Sequence, residues 1–156
     1  SASAVYPGQS LNVTVIAENR GTSTETFNVT AYYNSSLIGI ETVSNLLSGQ
    51  SKTLNFTWST TGVAFGIYIM SANATQVSGE TIIDDNVFID GTVRIKIPGD
   101  VDGDGDVDSS DLFKLAAAYG SKCGGPLYNA NCDFDFDCDV DSSDLFALAP
   151  NYGKKA

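Results

Sequence analysis

The chain has 156 residues, 42% of them hydrophobic, with a formal net charge of −11 and no histidine. Such a length can hold one ordinary domain and a small one. The acidic balance argues against nucleic acid and anionic membrane as partners, the lack of His removes the usual general base and a common zinc and iron ligand, and no run approaches the ~20 apolar residues of a membrane span.

From Leu11 to Ile97 the sequence predicts short alternating strands separated by turns. Leu11, Val13, Val15 and Ala17 share one face, with Asn12, Thr14 and Glu18 on the other. Phe27, Val29, Ala31 and Tyr33 repeat the pattern, followed by Leu54, Phe56 and Trp58, by Tyr68, Met70 and Ala72, and by Val93, Ile95 and Ile97. A period of two with one apolar face marks half-buried antiparallel strands. Pro7-Gly8, Arg20-Gly21, Ser48-Gly49, Gly62, Gly66 and Ser78-Gly79 supply turn chemistry between them. About seven strands at roughly ten-residue spacing predict a mainly β fold, an immunoglobulin-like antiparallel sandwich over residues 1–98. The segment Thr81–Asp90, with Ile82, Ile83, Val87 and Ile89, is open between a loop, an extra edge strand and part of a contact with another chain.

The stretches VYPGQSLNVTVIAENRGT, LLSGQSKTLNFTW, TGVAFGIYIMSANA and GETIIDDNVFIDGTVRI resemble the cell-adhesion-related domain called CARDB. That resemblance implies a non-catalytic, repeated spacer of secreted archaeal and bacterial proteins. The family has a complete first strand ahead of the Pro-Gly-Gln turn, and here only SASAVY stands there. Two readings of this stub are open. Either the chain is part of a longer protein, or a neighbouring subunit supplies the strand, since an unpaired edge is a template for another chain. Ser1 opens on small residues ahead of a strand-like segment, as expected after removal of a leader. Five Asn-X-Ser/Thr sequons, at Asn12, Asn28, Asn34, Asn55 and Asn73, are candidates for N-glycosylation.

The charge changes sharply after Pro98-Gly99. Residues 1–98 carry −3 and residues 99–156 carry −8. The run DVDGDGDVDSSD, residues 100–111, returns 33 residues later as DFDFDCDVDSSD, residues 133–144. Carboxylates fill the first, third, fifth, seventh, ninth and twelfth places of each run, the spacing at which a calcium loop closes around one ion. Two charges ~4 Å apart repel by about 4 kcal/mol at the effective dielectric of a protein surface. A divalent cation reverses that sign, so the pattern predicts two calcium ions. Magnesium, which demands tighter octahedral geometry, suits so many carboxylates less well.

The repeats align from Gly99–Gly120 to Cys132–Gly153 with 15 identities in 22 positions. Each loop is followed by an apolar pattern: Leu112, Phe113, Leu115, Ala116 and Tyr119 in the first, Leu145, Phe146, Leu148, Ala149 and Tyr152 in the second. The spacing predicts a short helix leaving each loop, capped by Asp108 or Ser109 and by Asp141 or Ser142. Gly120 and Gly153 end the helices, and Pro150 shortens the second. At about ten residues neither is stable alone, so the two must pack together.

Loop plus exiting helix, in duplicate, over residues 99–153 resembles a type I dockerin; a thrombospondin-type calcium repeat lacks those helices. The resemblance implies that Asp100, Asp102, Asp104 and Asp111 ligate the first ion, with Asp106 offering its carbonyl and Asp108 acting directly or through water. In the second loop it implies Asp133, Asp135, Asp137 and Asp144, with Asp139 and Asp141 in the two lesser roles. It also gives Ser109-Ser110 and Ser142-Ser143 a part in recognising a cohesin, against the alternative of helix capping. Where the family has glycine at the sixth place, the first loop has Gly105 and the second Cys138. A side chain at positive φ there costs roughly 1 kcal/mol or more. A disulfide from Cys138 to Cys123 or Cys132 would hold it, and the choice of pair among the three cysteines is open.

No catalytic constellation emerges, because nearly all the acids are committed to metal. Three functional readings remain. The first is an extracellular or cell-surface structural subunit that binds copies of itself into a homo-oligomer or filament, with residues 99–156 as its calcium module and Pro98-Gly99 as the join. The second is an adaptor anchored to a cohesin. The third is the C-terminal accessory module of a larger secreted hydrolase.

Overall fold

The computed structural model describes residues 4–155. Seven strands and two helices occur among them: β1 (Ala4–Val5), β2 (Ser10–Glu18), β3 (Glu25–Tyr33), β4 (Ser36–Leu46), β5 (Ser51–Ser59), β6 (Gly66–Ala74), β7 (Val87–Ile95), α1 (Ser109–Ala118) and α2 (Ser142–Leu148). The chain divides into two compact units, each discontinuous in sequence. One holds residues 9–60 and 67–93; the other holds residues 4–8, 61–66 and 94–155. Pro98 and Gly99 both belong to the second unit, and the division runs through β7 between Val93 and Arg94.

The first unit is an immunoglobulin-like antiparallel sandwich, as the alternation predicts. One sheet has the order β7-β6-β3-β4, and among the described residues the other consists of β2 paired with β5. Their register runs from Ser10 opposite Ser59 to Glu18 opposite Ser51. Facing residues Phe27, Val29, Ala31, Val43, Leu54 and Phe56 form the core. Each Val, Leu or Phe side chain among them, fully buried, contributes ~1.5–3 kcal/mol. Val13, Val15 and Ala17 of β2 face the same core but are only partly covered. Trp58, buried in β5, stacks on Tyr33 at 4.6 Å and meets Tyr68 edge-on. Buried Asn19 ties down the turn after β2: its Nδ2 donates to the Ser23 and Leu46 carbonyls, and its Oδ1 accepts from Gly21 N–H.

Strand β4 is absent from the sequence-based strand list. Its pairing with β3 shifts register between Glu25 and Phe27 and again between Ala31 and Tyr32. Each irregularity displaces the side-chain alternation, so no clean period of two survives. The segment Thr81–Asp90 resolves into a 3-10 turn at Asp84–Asn86 and the first residues of β7.

The second unit centres on Ile97, Val101, Val107, Leu115, Ala118, Cys132, Phe134, Val140 and Leu148, with Tyr6, Phe65 and Tyr128 packed against them. The short β1 runs parallel to the end of β7, Ala4 opposite Arg94 and Val5 opposite Ile95. Ser1–Ser3, the rest of the predicted stub, lie outside the described residues. Gly99 is needed for close approach: a Cβ there would stand 2.9 Å from Val107 Cγ1 and 3.0 Å from Leu148 Cγ, and its φ is +110°.

The helices bury a different stripe from the one predicted. Asp111, Leu115 and Ala118 face inward, while Phe113 is 76% exposed. Two residues at 100° apiece separate Phe113 from Leu115, which puts them on opposite faces. The second helix repeats this, with Asp144 and Leu148 buried and Phe146 74% exposed.

Candidate metal centre

Each Asp-rich run closes on itself through its twelfth residue. Asp111, 1% exposed, accepts from Val101 N–H (2.7 Å) and Asp102 N–H (3.2 Å) on Oδ1, and from Asp108 N–H (2.8 Å) on Oδ2. Asp144 does the same with Phe134 N–H (2.6 Å) and Asp141 N–H (2.8 Å). One carboxylate thus latches the start of the loop to the start of the helix. The latch is also half of a capping box, whose other half is the Asp108 side chain accepting from Asp111 N–H and the Asp141 side chain accepting from Asp144 N–H; the same caps also accept from Ser110 N–H and Ser143 N–H. The caps are therefore the aspartates, and Ser109, Ser110, Ser142 and Ser143 all stand exposed.

The fold brings three acidic groups together. Asp100, Asp102 and Asp111 present oxygens within 4.8 Å of one another, as do Asp106, Asp108 and Asp111, and as do Asp133, Asp135 and Asp144. Asp104, Asp137, Asp139 and Asp141 stand outside these groups. Asp104 accepts from Asp106 N–H, and Asp137 from Asp139 N–H, as turn-forming side chains do. Lysines cover part of the charge: Lys114 on Asp102 (2.7 Å), Lys155 on Asp106 (2.9 Å) and Lys122 on Asp139 (3.0 Å).

Whether a cation fits can be judged from the oxygens left over. Asp100 Oδ2, Asp106 Oδ1, Asp133 Oδ1 and Asp139 Oδ1 are buried and have no hydrogen-bond partner. They are the first and seventh places of each loop. A buried carboxylate oxygen without a partner is costly, and burial accordingly pushes the Asp100 carboxyl above the usual carboxylate range. Asp102 moves the other way, held down by its hydrogen bond from Lys114. Hard, oxygen-only donor sets with several carboxylates fit calcium. When bound, the ion would neutralise these groups and fill their missing partners.

The two repeats interlock instead of standing side by side. Val107 of the first loop exchanges hydrogen bonds with the exit of α2: its N–H donates to Lys154 C=O (3.0 Å), and its C=O accepts from Gly153 N–H (2.7 Å). Val140 of the second loop does likewise with Ser121 C=O (3.0 Å) and Gly120 N–H (2.7 Å) after α1. Each loop is thus held by the helix of the other repeat.

Sequence reasoning left the partner of Cys138 open between Cys123 and Cys132, and missed what Tyr128 contributes from the segment between the repeats. Cys123 forms a disulfide with Cys138, and Cys132 is free and fully buried. Burial pushes the Cys132 thiol up to about 11. Tyr128 O–H donates to Asp133 Oδ2 at 2.7 Å, which pushes the phenol up to about 12. Cys138 has φ +74°, and Phe136, at the fourth place, has φ +63°. The first loop uses Gly103 and Gly105 at those places. Of the sequon asparagines, Asn12, Asn28, Asn34 and Asn55 are exposed and Asn73 is half-buried.

Comparison with known proteins agrees with this construction. The type I dockerin domain model matches residues 98–150, and the CARDB model matches residues 1–87. A CARDB domain from Pyrococcus furiosus, crystallised in complex with di-metal ions, is 25% identical over 60% of this chain and 84% of its own, with a TM-score of 0.53. A solution structure of a domain from Methanosarcina acetivorans, described as belonging to a cell surface protein, is 24% identical over 60% of this chain and 82% of its own, with a TM-score of 0.48. No curated protein matches. Both domain types are non-catalytic, and type I dockerins bind calcium and protein partners. No helix among the described residues is long and apolar enough to cross a membrane. With more than half its length matched by that family and a dockerin domain following, the chain belongs to the CARDB family.

Proposed function

We propose that this chain is a non-catalytic, extracellular calcium-binding subunit that assembles with copies of itself, its dockerin-type domain holding one ion in each loop. The observation that carries the reading is the open side of the sandwich. With only β5 beside it, β2 presents a second, unpaired edge among the described residues. Next to it runs an open groove of ≈ 940 Å³ whose lining includes Val15, Ala17, Phe27, Val29, Ile82 and Phe88. In and around the groove, Ile82, Ile83, Val87, Phe88 and Ile89 are each at least half exposed. An unpaired edge beside apolar surface favours addition of a strand from another chain. The disulfide and the calcium loops both suit an oxidising, calcium-rich exterior.

Sizing the purified chain with calcium and then with chelator, followed by electron microscopy, tests this. Filaments or large assemblies formed without any other protein are expected. A monomer under both conditions would overturn self-assembly. The second reading, an adaptor that docks on a cohesin, is favoured by one feature: Ser109-Ser110 with Phe113, and Ser142-Ser143 with Phe146, stand exposed at equivalent places of the two repeats. A monomer that binds a cohesin, and loses it on Ser110→Asp and Ser143→Asp together, would establish that reading instead. Glycans at the exposed sequons are part of the proposal for the native protein, and an intact mass equal to the bare polypeptide would remove them from it.

A further inference from the structure

We infer that the segment between the repeats, residues 121–131, is a positioning scaffold for the second calcium loop, which makes the two sites unequal. The inference rests on the calcium reading above and concerns which residues hold one of its loops.

In the first loop the tight turns fall on Gly103 and Gly105, at φ +79° and +99°. Asp100 is oriented by the loop itself, its Oδ1 accepting from Gly103 N–H at 2.7 Å. The second loop takes the same path with Phe136 and Cys138, both of which carry a Cβ at positive φ. Each such residue is strained there in a way that glycine is not. Left to itself this loop would relax away from the shape that gathers its carboxylates.

The inter-repeat segment supplies what the glycines do not. Cys123 fixes Cys138 by the disulfide, and its N–H donates to Cys138 C=O at 2.9 Å. Lys122 holds Asp139 at 3.0 Å, a contact that the first loop matches with Lys155 on Asp106, so the difference between the loops rests on the disulfide and Tyr128. Tyr128 O–H donates to Asp133 Oδ2 at 2.7 Å, and Cys138 N–H reaches the same oxygen at 3.2 Å. Asp133 is 3% exposed, and its other oxygen, Oδ1, is buried with no partner. One carboxylate oxygen is thereby occupied and the other presented. Partners behind a metal ligand commonly set affinity by about 10- to 100-fold. Tyr128 and the disulfide act through Asp133 and the backbone of Cys138, so they are positioning groups and not ligands.

The test is a calcium titration of the full chain followed by two-dimensional amide NMR, with Gly105 reporting the first loop and Val140 the second. Tyr128→Phe removes only the hydroxyl. It should weaken the second site about tenfold and the first less than twofold. Cys123→Ala with Cys138→Ala keeps a Cβ at the strained place without the disulfide and should weaken the second site at least as much. Cys123→Ala with Cys138→Gly restores the freedom that Gly105 has, so affinity should recover towards the parent value. Equal weakening of both sites, or none, in the first two variants would overturn the inference. So would a glycine variant as weak as the alanine one. If the parent chain took up no calcium at all, the calcium reading itself would fall, and the inference with it.

Discussion

Gly153 N–H donates to Val107 C=O at 2.7 Å, joining the end of the second repeat to the loop of the first. Val107 N–H completes the tie to Lys154 C=O. Ending the chain after Tyr152 removes both bonds. At ~1 kcal/mol each, the dockerin-type domain should lose about 2 kcal/mol of stability. Denaturant titration in calcium, followed by helical circular dichroism, would measure it; an unchanged midpoint would show the tie to be incidental.

Cys132 reports on whether calcium holds the core closed. Its thiol is fully buried in the cluster that contains Val140 and Leu148, one residue ahead of the second loop. A thiol-specific reagent should leave it untouched in calcium and label it in chelator, because loss of the ion exposes mutually repelling carboxylates. Labelling at equal rates under both conditions would mean that the core survives without metal.

Acid should release calcium earlier than ordinary aspartates would. Burial raises the Asp100 and Asp135 carboxyls, so each takes up its proton above the pH where a free aspartate, near ~3.9, does. The ion binds the deprotonated form and competes with that proton. In the metal-free protein the sign is opposite. A raised carboxyl opposes folding at neutral pH, and that cost is relieved as pH falls through its folded value. The gap in melting temperature between calcium-loaded and metal-free protein should therefore narrow from pH 7 towards pH 4. A gap that stays constant in calorimetric scans would contradict this.

In the sandwich, Asn19→Ala should be among the costly single changes. It strands the Ser23 and Leu46 carbonyls and the Gly21 N–H around a buried site. Roughly 3 kcal/mol is expected from those lost partners. Thermal unfolding of the variant, with calcium held constant, would check it.

The calcium loops were legible because their chemistry is local: twelve residues carry the whole spacing. Strands β2, β3, β5, β6 and β7 were legible for the same reason, since alternation is a neighbour-to-neighbour property. Strand β4 was not, because its bulges break that alternation. The exposure of Phe113 and Phe146 was misread because a list of apolar residues does not fix helical phase; the buried latch residues Asp111 and Asp144 do. Tyr128 carried no motif, and its value depends on Asp133 being within reach. Equally, nothing local announces that residues 4–8 and 61–66 join the unit that begins at Arg94.

The crossed ties between Val107 and the exit of α2, and between Val140 and the exit of α1, bear on how such a domain could arise. A solitary repeat would carry a loop lacking its brace and a helix end lacking its acceptor. Two identical chains meeting face to face would satisfy both. Tandem duplication then turns that encounter between molecules into an event within one polypeptide, and frees the copies to diverge, one keeping its glycines and the other taking a disulfide.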